Sequence, residues 1–184
     1  VDRLLIVLTE QQKFENKKKK QDIRFRLSRE NLIDKNHWPK NGIQELSNML
    51  MKSKGRVDRA IQKGSNGEYL SDEALSFAKD WVVSLLFVIN PQGRSNAIRR
   101  LTVEESKQLC VPGGQGQVTS THFKTSMTYG SQAVNCNPVT QEYITGYTLH
   151  IRPYLLKASE TDVLFLNLKG MPHQDIGVCV TRLF

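Results

Sequence analysis

The sequence lacks any long apolar run: no stretch of consecutive apolar residues is longer than five, and the one nearest the start of the chain is the segment 4–8. A membrane-spanning helix needs about 20 such residues. The flanks of this segment also differ from those of a signal peptide. We therefore expect no membrane role for this chain.

Cysteine is scarce as well. Cys110, Cys136 and Cys179 are odd in number, far apart in the sequence and without C-x-x-C spacing. Such a set is typical of reduced, mostly buried thiols in an intracellular protein. The four histidines have no metal-ligand spacing, and no carboxylate pair accompanies them. The sequence therefore predicts no metal site and no other cofactor.

Acidic residues are too few at the start of the chain to balance the basic ones. Residues 1–63 hold 16 Lys and Arg against 8 Asp and Glu, whereas residues 64–184 hold 10 of each, so the net charge of +8 lies in the first third. A basic part joined to a neutral part is typical of a protein that grips a polyanion. The lysine run 17–20 fits either a solvated helix end or a nuclear-import or phosphate-contact segment.

The strongest turn signal of the first half is the segment 63–68, and the charge excess stops at the same point. We therefore expect a domain boundary there. The predicted arrangement is a basic helical domain over residues 1–64, which clamps DNA, and a second domain over residues 65–184. The predicted fold class is α+β and predominantly helical, with one small antiparallel sheet.

The hydrophobic pattern predicts the individual elements. A helix over residues 41–54 is expected to end at Gly55, with a short helix after it. Ser71 suits the N-cap of a long apolar helix over 71–89, the centre of the second core. Further along, the pattern predicts strands at 117–123 and 131–136, an interrupted helix over 139–158, a short strand at 163–166 and a last helix from residue 176.

The most informative side chain is Arg94, which begins an i, i+3, i+4, i+7 stripe whose other members are apolar: Ala97, Ile98 and Leu101. On a helix these residues fall within about 60° of one another, so one guanidinium points toward the interior. Burying it costs several kcal/mol unless an anion meets it. The partner is either a carboxylate or a phosphate.

Both partners are chemically reasonable. Glu104 and Glu105 follow close behind and could pair with Arg94 to hold two helices together. Alternatively, the planar guanidinium matches two phosphate oxygens and stabilises the charge of a five-coordinate phosphorus. Lys124 lies near a predicted hairpin tip, where it is either a surface charge or a movable general acid for a leaving oxygen. Arg99 and Arg100 fall on the other side of the helix and are expected to face solvent.

Several segments together resemble the tyrosine recombinase, or phage-integrase-like, superfamily, in particular its eukaryotic Crypton-type branch. In chain order these segments are Gln-Gly-Arg-x-x-Ala-Ile-x-x-Leu-Thr-x-Glu-Glu from residue 92, Phe-Lys-Thr-Ser-x-Thr-Tyr-Gly from 123, Arg-Pro-Tyr at 152–154 and Leu-Phe-Leu-Asn-x-x-Gly from 164. The resemblance covers most of residues 71–184 and makes residues 1–64 the core-binding domain. It implies that Arg94 is the first catalytic arginine, Lys124 the hairpin lysine and 163–166 the strand before the second catalytic box.

The sequence departs from that family at the second half of the active site. None of the four histidines begins a His-x-x-Arg motif, and the five tyrosines all lie before the position where the nucleophile is expected. The chain is therefore expected to be either a fragment cut before those boxes or a family member that has lost strand cleavage. Whether it is an enzyme stays open on sequence grounds.

These observations favour a segment that binds double-stranded DNA, from a recombinase that breaks and rejoins DNA through a phosphotyrosine. The alternatives are a domesticated DNA-binding module without catalysis, and a protein-interaction domain with an acidic partner. We expect a nuclear protein, with a homo-oligomer on DNA as one expectation for the full-length form. The expected phosphate contacts are Lys17, Lys18, Arg24, Arg26, Lys52, Lys54, Arg56 and Arg59.

Overall fold

A computed structural model describes residues 42–91, 95–110, 114–120, 132–157 and 160–183 of the chain, apart from the side chains of Ser95, Ser120 and Gln132. These residues are mostly helical with one small antiparallel sheet, which confirms the predicted α+β class. None of the described helices is both long enough and apolar enough to cross a membrane.

The first described helix, α1, spans Gly42–Ser65 without a break. Its inward side chains, among them Leu46, Leu50 and Val57, are almost fully buried. The prediction that Gly55 ends this helix is wrong. Gly55 is exposed in mid-helix, where the buried contacts on either side outweigh its low helix propensity of about 1 kcal/mol.

Helix α2 spans Asp72–Ile89 and confirms the predicted long apolar helix. Ser71 is its N-cap, because the side chain of Ser71 accepts a hydrogen bond from the amide of Ala74. Both faces of α2 are covered, so even polar side chains such as Lys79 and Asp80 are buried. This helix is the centre of the core.

The predicted apolar stripe after residue 94 is confirmed where the structure describes it. Helix α3 spans Ser95–Arg99, and Ala97, Ile98 and Leu101 are all at most 1% exposed. Helix α4 follows at Val103–Leu109. A capping box starts it, since the Thr102 side chain accepts from the amide of Glu105 while the Glu105 carboxylate accepts from the amide of Thr102.

Strands β1, Gly116–Ser120, and β2, Gln132–Cys136, form the sheet. They pair antiparallel with Val118 opposite Val134, and both of these side chains are buried. The two predicted strands are therefore confirmed in position and pairing.

The predicted interrupted helix is one helical stretch in three parts: α5 at Pro138–Gly146, a π-helical turn at Tyr147–Ile151 and α6 at Arg152–Leu156. Asn137 caps its start by accepting from the amide of Thr140. The interruption falls where the sequence placed it, between Gly146 and Pro153, since glycine and proline both weaken a regular helix.

The segment after α6 is extended and doubles back on itself. Val163 forms a β-bridge with Thr102, and Leu166 forms one with Pro172, so residues 163–166 contribute bridges and not the full strand expected. Asn167 stabilises the turn, because its side-chain oxygen accepts from the amides of Lys169 and Met171. Helix α7, Gly177–Thr181, then packs on α2.

Residues 43–184 belong to one compact unit. The ring nitrogen of Trp81 on α2 donates to the carbonyl of Leu50 on α1 at 3.1 Å, and Tyr143 on α5 bonds to Asp58 on α1. The boundary predicted near residue 64 therefore falls inside this unit, because α1 shares its core with the helices that follow.

Candidate nucleic-acid interface

Six of the predicted site residues lie outside the described residues. These are the two expected catalytic residues and the four expected phosphate contacts nearest the start of the chain: Arg94, Lys124, Lys17, Lys18, Arg24 and Arg26. Their roles therefore stay predictions. The remaining four, Lys52, Lys54, Arg56 and Arg59, all lie on α1.

The exposed face of α1 carries a row of cations that we call the cationic stripe: Lys52, Arg56, Arg59 and Lys63. Their spacing of i, i+4, i+7 and i+11 places them within about 60° of one another on the helix. All four side chains are exposed. The row extends over about 16 Å, since a helix rises 1.5 Å per residue. Glu45 lies on the same face two turns before Lys52, so the stripe covers α1 only from Lys52 onward.

The members of the cationic stripe differ in their neighbours. Arg56 donates to the Glu73 carboxylate at 2.6 Å and stacks over the Phe77 ring at 4.0 Å. Among the described residues, no carboxylate forms an ion pair with Lys52, Arg59 or Lys63. These three cations are therefore the ones best placed to meet an external anion.

Lys54 does not belong to the stripe, although the sequence predicted it as a phosphate contact together with Lys52, Arg56 and Arg59. It lies about 160° around α1 from Arg56, where its Nζ contacts Asp58 Oδ2 at 2.9 Å and lies 5.6 Å from the centre of the Tyr143 ring. The hydrogen bonds to Tyr143 and Asp58 raise the pKa of Lys54 above its usual value. Lys54 therefore belongs to the contact between α1 and α5.

A second cationic surface surrounds the segment 171–174, which contains the bridge residue Pro172. On one side is a cleft of about 540 Å³ lined by Arg99, Arg100, Asp162 and His173, among others. On the other is a cavity of about 490 Å³. Met171, His173 and Gln174 line both spaces, and the second is also lined by Lys79, Lys169 and Arg182. Of the residues lining these two spaces, Asp162 alone is acidic, so the surface favours anions.

Backbone hydrogen bonds between distant segments build this cleft. The amide of Val103 donates to the carbonyl of Asp162 at 2.8 Å, and the amide of Leu164 donates to that of Leu101 at 2.7 Å. The buried guanidinium of Arg152 donates to the carbonyls of Thr161 and Val163 at 2.6–3.2 Å. Arg152 therefore fixes the segment that forms one wall.

Comparison with protein-family models, curated proteins and solved structures finds no match for this chain. The recombinase resemblance accordingly rests on the sequence segments alone. The positions of the cations on α1 and around the cleft are observed in the structure of this chain and are not inferred from a related protein.

Beneath the second cavity lies a buried polar cluster of Asp80, His173 and Cys179. Each offers one potential metal-ligand atom, and these atoms lie within 4.8 Å of one another. Burial first, and then the nearby Asp80 carboxylate, raise the pKa of Cys179 to about 12. Burial first, and then the Lys79 charge, lower the pKa of His173. Both shifts favour the uncharged forms of the thiol and the imidazole.

Arg99 and Arg100 were expected to be ordinary outward-facing charges, and Arg100 is indeed exposed while Arg99 is half-buried. Sequence reasoning missed that both also line the cleft. They line the cleft because residues 162–174 fold back beside α3, and helical periodicity carries no information about that contact. It also missed the cluster of Asp80, His173 and Cys179, since these residues are 93 and 6 positions apart along the chain. No local ligand spacing could have revealed it.

Proposed function

We propose that this chain is the duplex-DNA-binding segment of a tyrosine-recombinase-like protein and that it binds DNA without cutting it. The observation that supports binding most directly is the cationic stripe on α1, three of whose four members have no ion-pair partner among the described residues. The catalytic part of the proposal rests on the sequence resemblance.

The cationic stripe suits the geometry of a nucleic-acid backbone. Phosphates along one DNA strand are spaced 3.4 Å apart along the helix axis. A row of four cations about 16 Å long can therefore meet several phosphates in succession. Each neutralised phosphate releases condensed counterions, so binding weakens as salt rises. Arginine and lysine side chains on this stripe would orient the duplex through its phosphates without reading its base sequence.

In the intact protein, the resemblance assigns Arg94 to the scissile phosphate and Lys124 to the leaving 5′-oxygen. A tyrosine hydroxyl would attack the phosphorus and form a 3′-phosphotyrosyl link, which keeps the bond energy for rejoining. The 184 residues contain no His-x-x-Arg motif. A coding sequence that continues into His-x-x-Arg, with a tyrosine some thirty residues later, would favour the enzyme over the domesticated DNA-binding module.

The test is a salt titration of binding to a random 30-base-pair duplex, followed by fluorescence anisotropy. The Lys52→Gln/Arg59→Gln variant should bind more weakly, and its log K against log salt slope should fall by about 2, since each phosphate contact contributes about 0.9. The matched control is Lys107→Gln/Lys157→Gln, which removes the same charge from exposed positions off the stripe. It should leave the slope unchanged.

Two results would overturn the proposal. One is the absence of salt-dependent binding of the wild-type chain to duplex DNA, which would favour an acidic protein partner. The other is an equal loss of affinity in the stripe variant and its control, because binding would then reflect net charge and not the stripe.

A further inference from the structure

We propose that Asp80, His173 and Cys179 form a binding site for a single Zn²⁺ ion. The three side chains come from helix α2, from the segment 171–174 and from helix α7. A carboxylate, an imidazole and a thiolate are all ligands that zinc accepts in proteins. The site is independent of the DNA-binding proposal, since none of its residues belongs to the cationic stripe.

The best-defined distance in the cluster fits a tetrahedral ion. Cys179 Sγ and His173 Nε2 lie 3.7 Å apart. With zinc–sulfur and zinc–nitrogen bonds of about 2.3 and 2.0 Å, a tetrahedral angle places these two atoms about 3.5 Å apart. The Asp80 oxygen lies within 4.8 Å of both ligand atoms, so shifts of about an ångström would complete the set.

Two buried atoms in the cluster have no hydrogen-bond partner among the described residues: Asp80 Oδ1 and His173 Nδ1. Asp80 itself is 3% exposed. Buried polar atoms are normally satisfied, so each exception requires an explanation. A metal ion bound by the Asp80 carboxylate would account for the first of them.

Lys79 and Arg182 are the competing partners of Asp80. Lys79 Nζ lies 3.2 Å from Asp80 Oδ1 without hydrogen-bond geometry, and Arg182 Nη1 lies 3.7 Å from Oδ2. Ser76 also donates to Oδ2, at 3.4 Å. Both cations repel a metal ion, so they weaken the site without occupying the ligand positions of His173 and Cys179. The Arg182 side chain is half exposed, so its substitution should have little effect on stability.

Zinc binding at this site replaces a proton of the protein with the metal ion. The thiol of Cys179 releases its proton to solvent, and its sulfur forms the bond to zinc. The fourth position is open to a water from the adjacent cavity, which His173 and Lys79 line. The ion would tie α7 to α2, so it should raise the thermal stability of the unit by mass action.

The test uses the untagged chain after treatment with a chelator, titrated with Co²⁺ as a spectroscopic substitute for zinc. We expect a thiolate-to-cobalt charge-transfer band and visible ligand-field bands that saturate at one ion per chain, and we expect Zn²⁺ to displace them. Cys179→Ser should abolish the charge-transfer band and weaken zinc binding by more than about tenfold. Cys136→Ser, which removes another buried thiol, should retain both.

A wild-type chain that shows no charge-transfer band would overturn the site, whatever the variants do. A band that persists in Cys179→Ser would overturn it too. Arg182→Gln provides a variant that keeps every ligand, and zinc binding should tighten because one repelling charge is gone. Unchanged or weaker binding in that variant would contradict the geometry proposed.

Discussion

The hydroxyl of Tyr143 on α5 donates a 2.7 Å hydrogen bond to Oδ1 of Asp58 on α1. Lys54 contacts the other oxygen of the same carboxylate at 2.9 Å. Burial alone would raise the pKa of Asp58, but the hydrogen bonds from Lys54 and Tyr143 outweigh it and hold that pKa below its usual value. This carboxylate therefore connects two helices that are more than eighty residues apart in the sequence.

Tyr143→Phe should lower the free energy of unfolding at pH 7 by about 1 kcal/mol, because one hydrogen bond to a partly exposed carboxylate is lost. The pKa of Asp58 is lower in the folded state, so its contribution is present above its unfolded pKa of about 3.9 and is lost as the pH falls through the folded pKa. Urea unfolding at several pH values should show the wild type and the variant converging in acid.

The matched control is Tyr154→Phe. The Tyr154 hydroxyl donates to the backbone carbonyl of Glu68 at 3.0 Å, a partner that does not titrate. Loss of this hydrogen bond should lower the free energy of unfolding by a similar or smaller amount, and that amount should not change with pH. Equal pH dependence in the two variants would argue against the role assigned to Asp58.

Gly64 and Gly55 both lie on α1, and we predict that replacing each with alanine changes the stability of the unit in opposite directions. A Cβ at Gly64 would overlap the backbone carbonyl oxygen of His150, so Gly64→Ala should destabilise the unit by about 1–3 kcal/mol. At Gly55 the nearest atom is the Arg59 guanidinium at 4.0 Å. Gly55→Ala should stabilise by about 0.5–1 kcal/mol, since alanine loses less entropy in a helix. Thermal unfolding of both variants measures this difference in stability. Melting temperatures that shift in the same direction in both variants would contradict the prediction.

Arg152→Lys should destabilise the unit by about 1–3 kcal/mol although the charge is kept. A lysine cannot reproduce the guanidinium contacts to the carbonyls of Thr161 and Val163. Hydrogen exchange should also accelerate at the amide of Val103, whose acceptor is Asp162. Arg59→Lys, an exposed substitution of the same kind on α1, should stay within about 0.5 kcal/mol of the wild type. Equal effects would show that Arg152 does not hold the cleft wall.

The thiols should differ in reactivity. Burial, with a smaller contribution from Cys110, raises the pKa of Cys136 to about 12, so this residue is a protected thiol at pH 7–8. Cys110 is only partly buried. In the native, chelator-treated chain, a thiol-specific reagent should therefore label Cys110 first, and Cys110→Ser should remove the fast phase. A fast phase that survives in that variant would contradict this assignment.

Where local chemistry decides the structure, the sequence was a sufficient guide. The Ser71 cap and the apolar repeat over 71–89 placed α2 correctly, because a cap and a 3.6-residue period act within one helix. The stripe of Ala97, Ile98 and Leu101 was predicted to be buried and is buried. Alternation and turn residues likewise located the pair of strands.

The sequence by itself thus determined the position of α2, the pairing of β1 with β2, the burial of Ala97, Ile98 and Leu101, and where the excess positive charge lies. Only the tertiary structure decided that α1 continues through Gly55, that Lys54 lies beside the Tyr143 ring, and that Asp80 lies close to His173 and Cys179. Each of these depends on contacts between segments distant in the chain. Burial and long-range hydrogen bonding set such contacts, and neither leaves a periodic signal in the sequence.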